Sequence, residues 1–214
     1  MKNLLTLTVM TLSLWGFQTA QALDVVVAES DPAMVTALEI KETDQVVGDA
    51  AAPITIIEYA SMTCGHCADF HNKTYPVLKE KLVDTGRAKF VFRELPWDNR
   101  ALAVSMVARC APEEDFSKFV SAFFSTHETW VRSGDFMESI KQIARLGGMK
   151  ADDVDACLKN PDVNDLVRKS RQEAMDVLKV TGTPTLFING HRLNGALPAG
   201  EILDYVAQLE AKLK

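Results

Sequence analysis

The sequence predicts an α/β domain interrupted by a helical insertion. Three observations carry this reading. The apolar run Ile54–Tyr59 is followed by a helical pattern and then by an alternating run at Lys89–Arg93, a β-α-β order. Residues 180–214 hold two further strand patterns and a closing amphipathic helix. Between these units, residues 98–179 show helix-period stripes alone, which suits an insertion into one sheet-based domain. A hydrophobic fraction of 47% in 214 residues is enough to build the core this needs.

The chain opens on a secretory signal pattern over residues 1–22. Lys2 charges its start, Leu4 to Phe17 is apolar and uncharged, and Ala20-Gln21-Ala22 is a small-x-small cleavage site, with the cut after Ala22. The other reading is an uncleaved anchor, but a bilayer span needs ~20 apolar residues and this stretch is shorter. The formal charge of -6 is a poor match for nucleic acid or anionic lipid, so neither is expected as a main partner.

After the signal, residues 23–97 form a lead-in and the first part of the α/β domain. Asp31-Pro32 and Gly48-Asp49 are turn signals, with one short element expected near Leu38–Val47. A buried strand follows at Ile54–Tyr59, with the single acid Glu58 inside it. A helix is expected from Cys64 to about Asp84, kinked at Pro76. In the insertion, Phe116, Phe119, Val120 and Phe123 form one stripe, and Phe136, Ile140 and Ile143 another. Val154, Cys157 and Leu158 form a third. These read as core-facing helix faces. Thr185–Ile188 then reads as a strand, Asn189-Gly190 as a hairpin turn, and Pro198 as the opening of the last helix.

The chemistry gathers at Cys64-Gly65-His66-Cys67. Four cysteines allow three pairings, and the spacing favours Cys64 with Cys67, leaving Cys110 with Cys157. In an exported chain such pairs persist as disulfides. Half of a metal site is the competing reading, with His71 four residues after Cys67. A metal would need two more ligands at suitable spacing, and no second CxxC or HxxxH pattern exists. A purely structural bond across so short a loop would contribute little. At a helix start, free N–H groups and a protonated His66 would lower the Cys64 pKa into the ~3.5–7.5 range. Cys67, one turn deeper, is its buried partner. Cys110 and Cys157 could instead remain two buried thiols in separate helices. Pro184 reads either as an edge-strand start or as a cis proline facing the dithiol. Glu58 reads either as a solvated strand acid or as a buried group held there for a reason. His71, His127 and His191 are expected at surface, half-buried or solvated positions.

Glu58, Cys64-Gly65-His66-Cys67 and Gly182-Thr183-Pro184-Thr185 occur in the order of the thioredoxin superfamily. With the helical block between them and the run Ile57-Glu58-Tyr59-Ala60-Ser61, the chain resembles the DsbA-type periplasmic thiol:disulfide oxidoreductases. The resemblance implies a thioredoxin fold with an inserted helical domain and a cis-proline loop at Thr183-Pro184 beside the dithiol. It implies catalytic roles for Cys64, Cys67 and His66, with Glu58 as the acid beneath Cys67. Thr183, Pro184 and an apolar surface near Met62, with Phe187 a weaker candidate, would bind substrate. Expected partners are unfolded exported proteins with cysteine pairs and a membrane quinone-linked oxidase. No cofactor or metal and a monomer are expected. Gly65-His66 departs from the Pro-His of the best-known oxidases of this type, and Thr183 from their Val. Gly-His resembles the eukaryotic protein disulfide isomerases, and Thr183 before Pro184 is closer to bacterial isomerases and some reductases.

Overall fold

A computed structural model describes residues 26–27 and 31–213; the signal segment and its cleavage point after Ala22 lie outside the described residues. The lead-in holds β1 (Val26–Val27), α1 (Pro32–Ala37) and β2 (Val46–Val47). Where one element was expected near Leu38–Val47, a helix precedes that stretch and a short strand ends it. Asp31-Pro32 is more than a turn: the Asp31 carboxylate accepts from Ala33 N at 2.9 Å, and Pro32 occupies the first helical turn, where its missing N–H costs nothing.

The central strand is β3 (Ile54–Ala60). It pairs in parallel with β4 (Ala88–Glu94) and antiparallel with β5 (Thr185–Ile188), which forms a hairpin with β6 (His191–Asn194). Among the described residues the sheet has six strands, in the order β1-β6-β5-β3-β4-β2. The hairpin turn has positive φ at both Asn189 (47°) and Gly190 (83°), which is why Asn-Gly stands there. His191 is half-buried, edge-on to the Tyr205 ring at 6.0 Å, rather than solvated.

Alternation along β3 decides what lies beneath the dithiol. Ile54, Ile56 and Ala60 join the larger core, while Ile57 and Tyr59 join a second cluster with Val91 and Phe187. Glu58 shares its face with Ile56 and Ala60, the side covered by the cysteine-bearing helix.

That helical stretch comprises α2 (Gly65–Asp69) and α3 (Tyr75–Leu78), with π-helical turns at Phe70–Thr74 and Lys79–Val83. The wide turn before α3 accommodates Pro76, which sits in the first turn of α3 where an N–H is dispensable.

The insertion contains α4 (Asn99–Arg109), α5 (Phe116–Ser125), α6 (His127–Val131), α7 (Phe136–Leu146), α8 (Ala151–Cys157) and α9 (Pro161–Asp176). Phe119, Val120, Phe123, Ile140, Ile143 and Val154 all point into the core. A disulfide joins Cys110, at the end of α4, to Cys157, at the end of α8, across 47 residues of sequence. Replacing both cysteines by Ala is expected to cost roughly 2–4 kcal/mol, by freeing a long loop in the unfolded chain. Denaturant midpoints measure this, and a loss under about 1 kcal/mol would contradict it. The chain closes with α10 (Ala199–Lys212), packed through Ile202, Val206 and Leu209. No helix among the described residues is long and apolar enough to cross a membrane.

Candidate active site

The turn after β3 delivers Cys64 to the start of α2. Cys64 N donates to Ser61 O at 3.0 Å, and Cys64 is the N-cap, its sulfur accepting from Cys67 N at 3.4 Å. Thr63 Oγ1 donates to Asp98 Oδ2 at 2.7 Å, and Asp98 Oδ1 accepts from Ala101 N at 2.8 Å at the start of α4. One aspartate thereby fastens the dithiol turn to the insertion. Both cysteines are free thiols; Cys64 is half-buried and Cys67 is buried.

The two sulfurs differ sharply in acidity. The Cys64 pKa is lowered to about 5, chiefly because Cys67 can donate a hydrogen bond to its thiolate. Burial opposes this, while Thr183 and the backbone N–H groups of Cys67 and His66 assist. His66 thus acts on the sulfur through its backbone, and its side chain is exposed. The Cys67 thiol is pushed well up by burial, by its hydrogen bond to Cys64 and by the charge of Glu58.

The bond between Thr183 and Pro184 is cis, and Thr183 O lies 3.4 Å from Cys64 Sγ. Trp97, just after β4, donates from Nε1 to Thr183 Oγ1 at 2.9 Å while remaining 40% exposed. Trp97 was not singled out from sequence, where the segment after the strand shows only a Pro96 stop. Met62 corrects the sequence expectation in the other direction: it is fully buried in the core under the turn, as is Phe187 on the far face of the sheet, so neither forms an apolar surface. Trp97 is the large apolar side chain exposed beside the proline loop. An open groove of about 430 Å³ also flanks the dithiol, lined in part by His66, Asp69, Asn72 and His127.

Beneath Cys67, Glu58 is fully buried and its Oε2 lies 2.7 Å from His71 Nε2. His71 is buried too, stacked on Phe124 at 4.2 Å, so the surface or half-buried placement expected for it is wrong. The same correction applies to His127, buried edge-on to Trp130 at 5.7 Å. Four residues after Cys67, His71 returns to the same helix face, and that spacing was the available signal. No cluster of three or more His, Cys, Asp or Glu side chains among the described residues is arranged to hold a metal ion.

A half-buried, acidic first cysteine over a buried second one, facing a cis-proline loop on a thioredoxin-type sheet, defines a redox-active dithiol protein. The comparisons agree. Residues 40–207 match the family model described as Thioredoxin. The crystal structure of alpha-DsbA1 from Wolbachia pipientis is 30% identical, covering 83% of this chain and 96% of that one with a TM-score of 0.77. That of alpha-DsbA2 from the same organism is 25% identical, covering 79% and 88% with a TM-score of 0.66. A Rickettsia felis protein, provisionally named a protein-disulfide oxidoreductase, is 29% identical over 76% of this chain. The alignment spans 58% of that protein and 59% of its Rickettsia bellii counterpart. This chain belongs to the thioredoxin family, and within it to the DsbA type.

Proposed function

We propose that this protein is a thiol:disulfide oxidase that introduces disulfides into exported proteins by exchange at Cys64–Cys67. The observation that carries the reading is the asymmetry of the two sulfurs, an acidic accessible Cys64 above a buried, proton-retaining Cys67. A stabilised Cys64 thiolate favours the reduced form, and so makes the disulfide a strong oxidant.

In the reaction a substrate thiolate attacks Cys64 Sγ, the Cys64–Cys67 bond breaks, and Cys67 departs with the electron pair and is protonated. A second substrate thiolate attacks the substrate sulfur of this mixed disulfide and releases Cys64 as thiolate. The substrate is an unfolded chain with a reduced cysteine pair. It is held as an extended strand against the Thr183-Pro184 backbone, with Trp97 as the apolar contact. Glu58 handles the Cys67 proton. By likeness to the DsbA type, the protein works as a periplasmic monomer, and a membrane quinone-linked oxidase reoxidises the dithiol.

Gly65-His66 and Thr183 favour a second reading, an isomerase or reductase kept reduced by a membrane reductant. A redox-inert chaperone on the same scaffold has no use for an acidic Cys64. Equilibration of the dithiol with glutathione buffers separates these. The oxidase reading expects a potential well above that of glutathione and rapid oxidation of a reduced test protein. A potential at or below that of glutathione, with a dimer or trimer by light scattering, would replace it by the isomerase reading.

A further inference from the structure

Glu58 and His71 touch through one atom each, and the other ends of both groups are the informative ones. The 2.7 Å contact between Oε2 and Nε2 holds a proton between them. Glu58 Oε1 and His71 Nδ1 are buried with no hydrogen-bond partner. Buried polar atoms left unpartnered are rare enough to need a reason. His71 lines a cavity of about 10 Å³ together with Gln45, Tyr75, Ser117 and Ser121. That is about the room of one water, with polar groups to hold it. Gln45 and Ser117 also line an open surface cleft with Asp44, Glu113 and Glu114.

The other groups packed on the pair are few. The cysteine helix presents Cys67 and, beyond it, Cys64, while α3 presents Tyr75, whose hydroxyl is pushed up to about 12 by burial and by the charge of Glu58. β4 presents Phe90 and Phe92, and α5 presents Phe124.

We propose that Glu58 and His71 act as one proton-holding unit for Cys67, and that this unit exchanges its proton with solvent through the cavity behind His71 rather than through the dithiol face. The inference rests on the exchange chemistry proposed above. As the incoming thiolate bonds to Cys64 Sγ, the electron pair of the broken S–S bond stays on Cys67 Sγ. Glu58 gives its carboxyl proton to that sulfur. The carboxylate left behind accepts from the Nε2–H of a neutral imidazole, so the buried negative charge passes from sulfur to an oxygen with a donor. His71 then takes a proton at Nδ1 from the cavity side, so that the reduced form holds the Glu58 carboxylate against a His71 imidazolium. Reoxidation of the dithiol runs the same path in reverse. The route is needed because the bound substrate covers the dithiol face while Cys67 is fully buried. His71 touches no substrate and is a positioning residue.

Two variants and one spectroscopic reading test this. His71→Gln keeps a donor toward Glu58 but cannot take up a further proton. Ser117→Leu closes the passage between cavity and cleft and leaves the pair intact. The oxidised proteins are reacted with glutathione in single turnover from pH 5 to 8. Both variants are expected to slow by roughly tenfold or more at pH 8 and far less at pH 5, where protons are abundant. Imidazole ¹⁵N shifts of His71 in the wild-type protein are expected to differ between oxidised and reduced forms at the same pH. Wild-type pH profiles in both variants would overturn the proposal, and a wild-type profile in Ser117→Leu alone would overturn the cavity route. If His71→Gln does not fold, Ser117→Leu and the ¹⁵N shifts decide. A wild-type protein inert toward glutathione would sink the oxidase reading instead; redox-independent ¹⁵N shifts would sink the proton unit.

Discussion

Replacing Cys64 by Ser is expected to abolish oxidation of a reduced test protein, and Cys67→Ser is expected to be inactive too because the bond that is attacked no longer exists. The Cys64 thiolate of Cys67→Ser, treated with oxidised glutathione, should displace one glutathione and persist as a stable mixed disulfide. The reason is the assignment of attacked and leaving sulfur, which the acidities fix. At about 5, Cys64 is about 99% thiolate at pH 7, against about 3% for an ordinary thiol near 8.5. Alkylation of the reduced protein should therefore show a midpoint near pH 5 at Cys64, with Cys67 silent. The same shift is a stability statement. A thiol whose folded pKa lies below its unfolded value stabilises the reduced fold fully above the unfolded value, and that gain is lost as pH falls through the folded value. For Cys64 the window runs from 9.0 down to about 5. Cys67, shifted upward, keeps its proton throughout the lower part of it. Discounted for the part of Cys64 that solvent screens, the gain at pH 7 is on the order of 1–2 kcal/mol, equivalent to roughly 20–40 mV for a two-electron couple. The oxidised protein has no thiolate at Cys64 and does not share this gain. The stability of the reduced form relative to the oxidised form should then rise by that amount between pH 4 and pH 7. A pH-independent difference, or retained activity in Cys64→Ser, would overturn the assignment.

The elements that the sequence made legible are those whose signal is local. Ile54–Ala60 and Thr185–Ile188 are buried strands and read as continuous apolar runs, and Asn189-Gly190 supplies the left-handed backbone of its hairpin. Cys64 and Cys67 carry their chemistry in their spacing. The misreadings concern residues whose environment is made by distant segments. Met62 follows a strand and reads as a rim residue, but the turn folds it inward under the dithiol. His71 looks like an ordinary helix-surface histidine until Phe124 of the insertion, 53 positions away, covers it. Trp97 gains its place only because Thr183, on the other side of the insertion, meets it. Arg93 is the clearest case, since a charged residue at the end of a strand normally marks the return to solvent, and here it is buried.

Replacing Arg93 by Met is expected to destabilise the protein by about 3–5 kcal/mol, because it strands a buried carboxylate. Arg93 is 2% exposed. Its guanidinium donates to Asp44 Oδ1 at 3.0 Å and Oδ2 at 2.6 Å, to Tyr59 Oη at 2.9 Å, and to the carbonyls of Ala37 and Glu39 at 2.6 Å each. Burial alone would make the charge easier to lose, but the hydrogen bonds and charge of Asp44 outweigh it and hold Arg93 more firmly protonated than usual. These five contacts tie the lead-in after α1 to the back of the sheet, through one planar donor fork that Lys cannot reproduce. Arg93→Lys should therefore lose much of the same stability. If the stranded charge is the dominant cost, Asp44→Asn should recover a large part of the loss in the Arg93→Met background while destabilising the parent, a coupling that a double-mutant cycle isolates. Tyr59 and Arg93 lie on the face of the sheet opposite Glu58, so the alkylation midpoint of Cys64 should not move in any variant that stays folded. A denaturant midpoint for Arg93→Met corresponding to less than about 1 kcal/mol would mean that water reaches Asp44 and that the lead-in is held by packing of Ala37, Met34 and Leu38 alone.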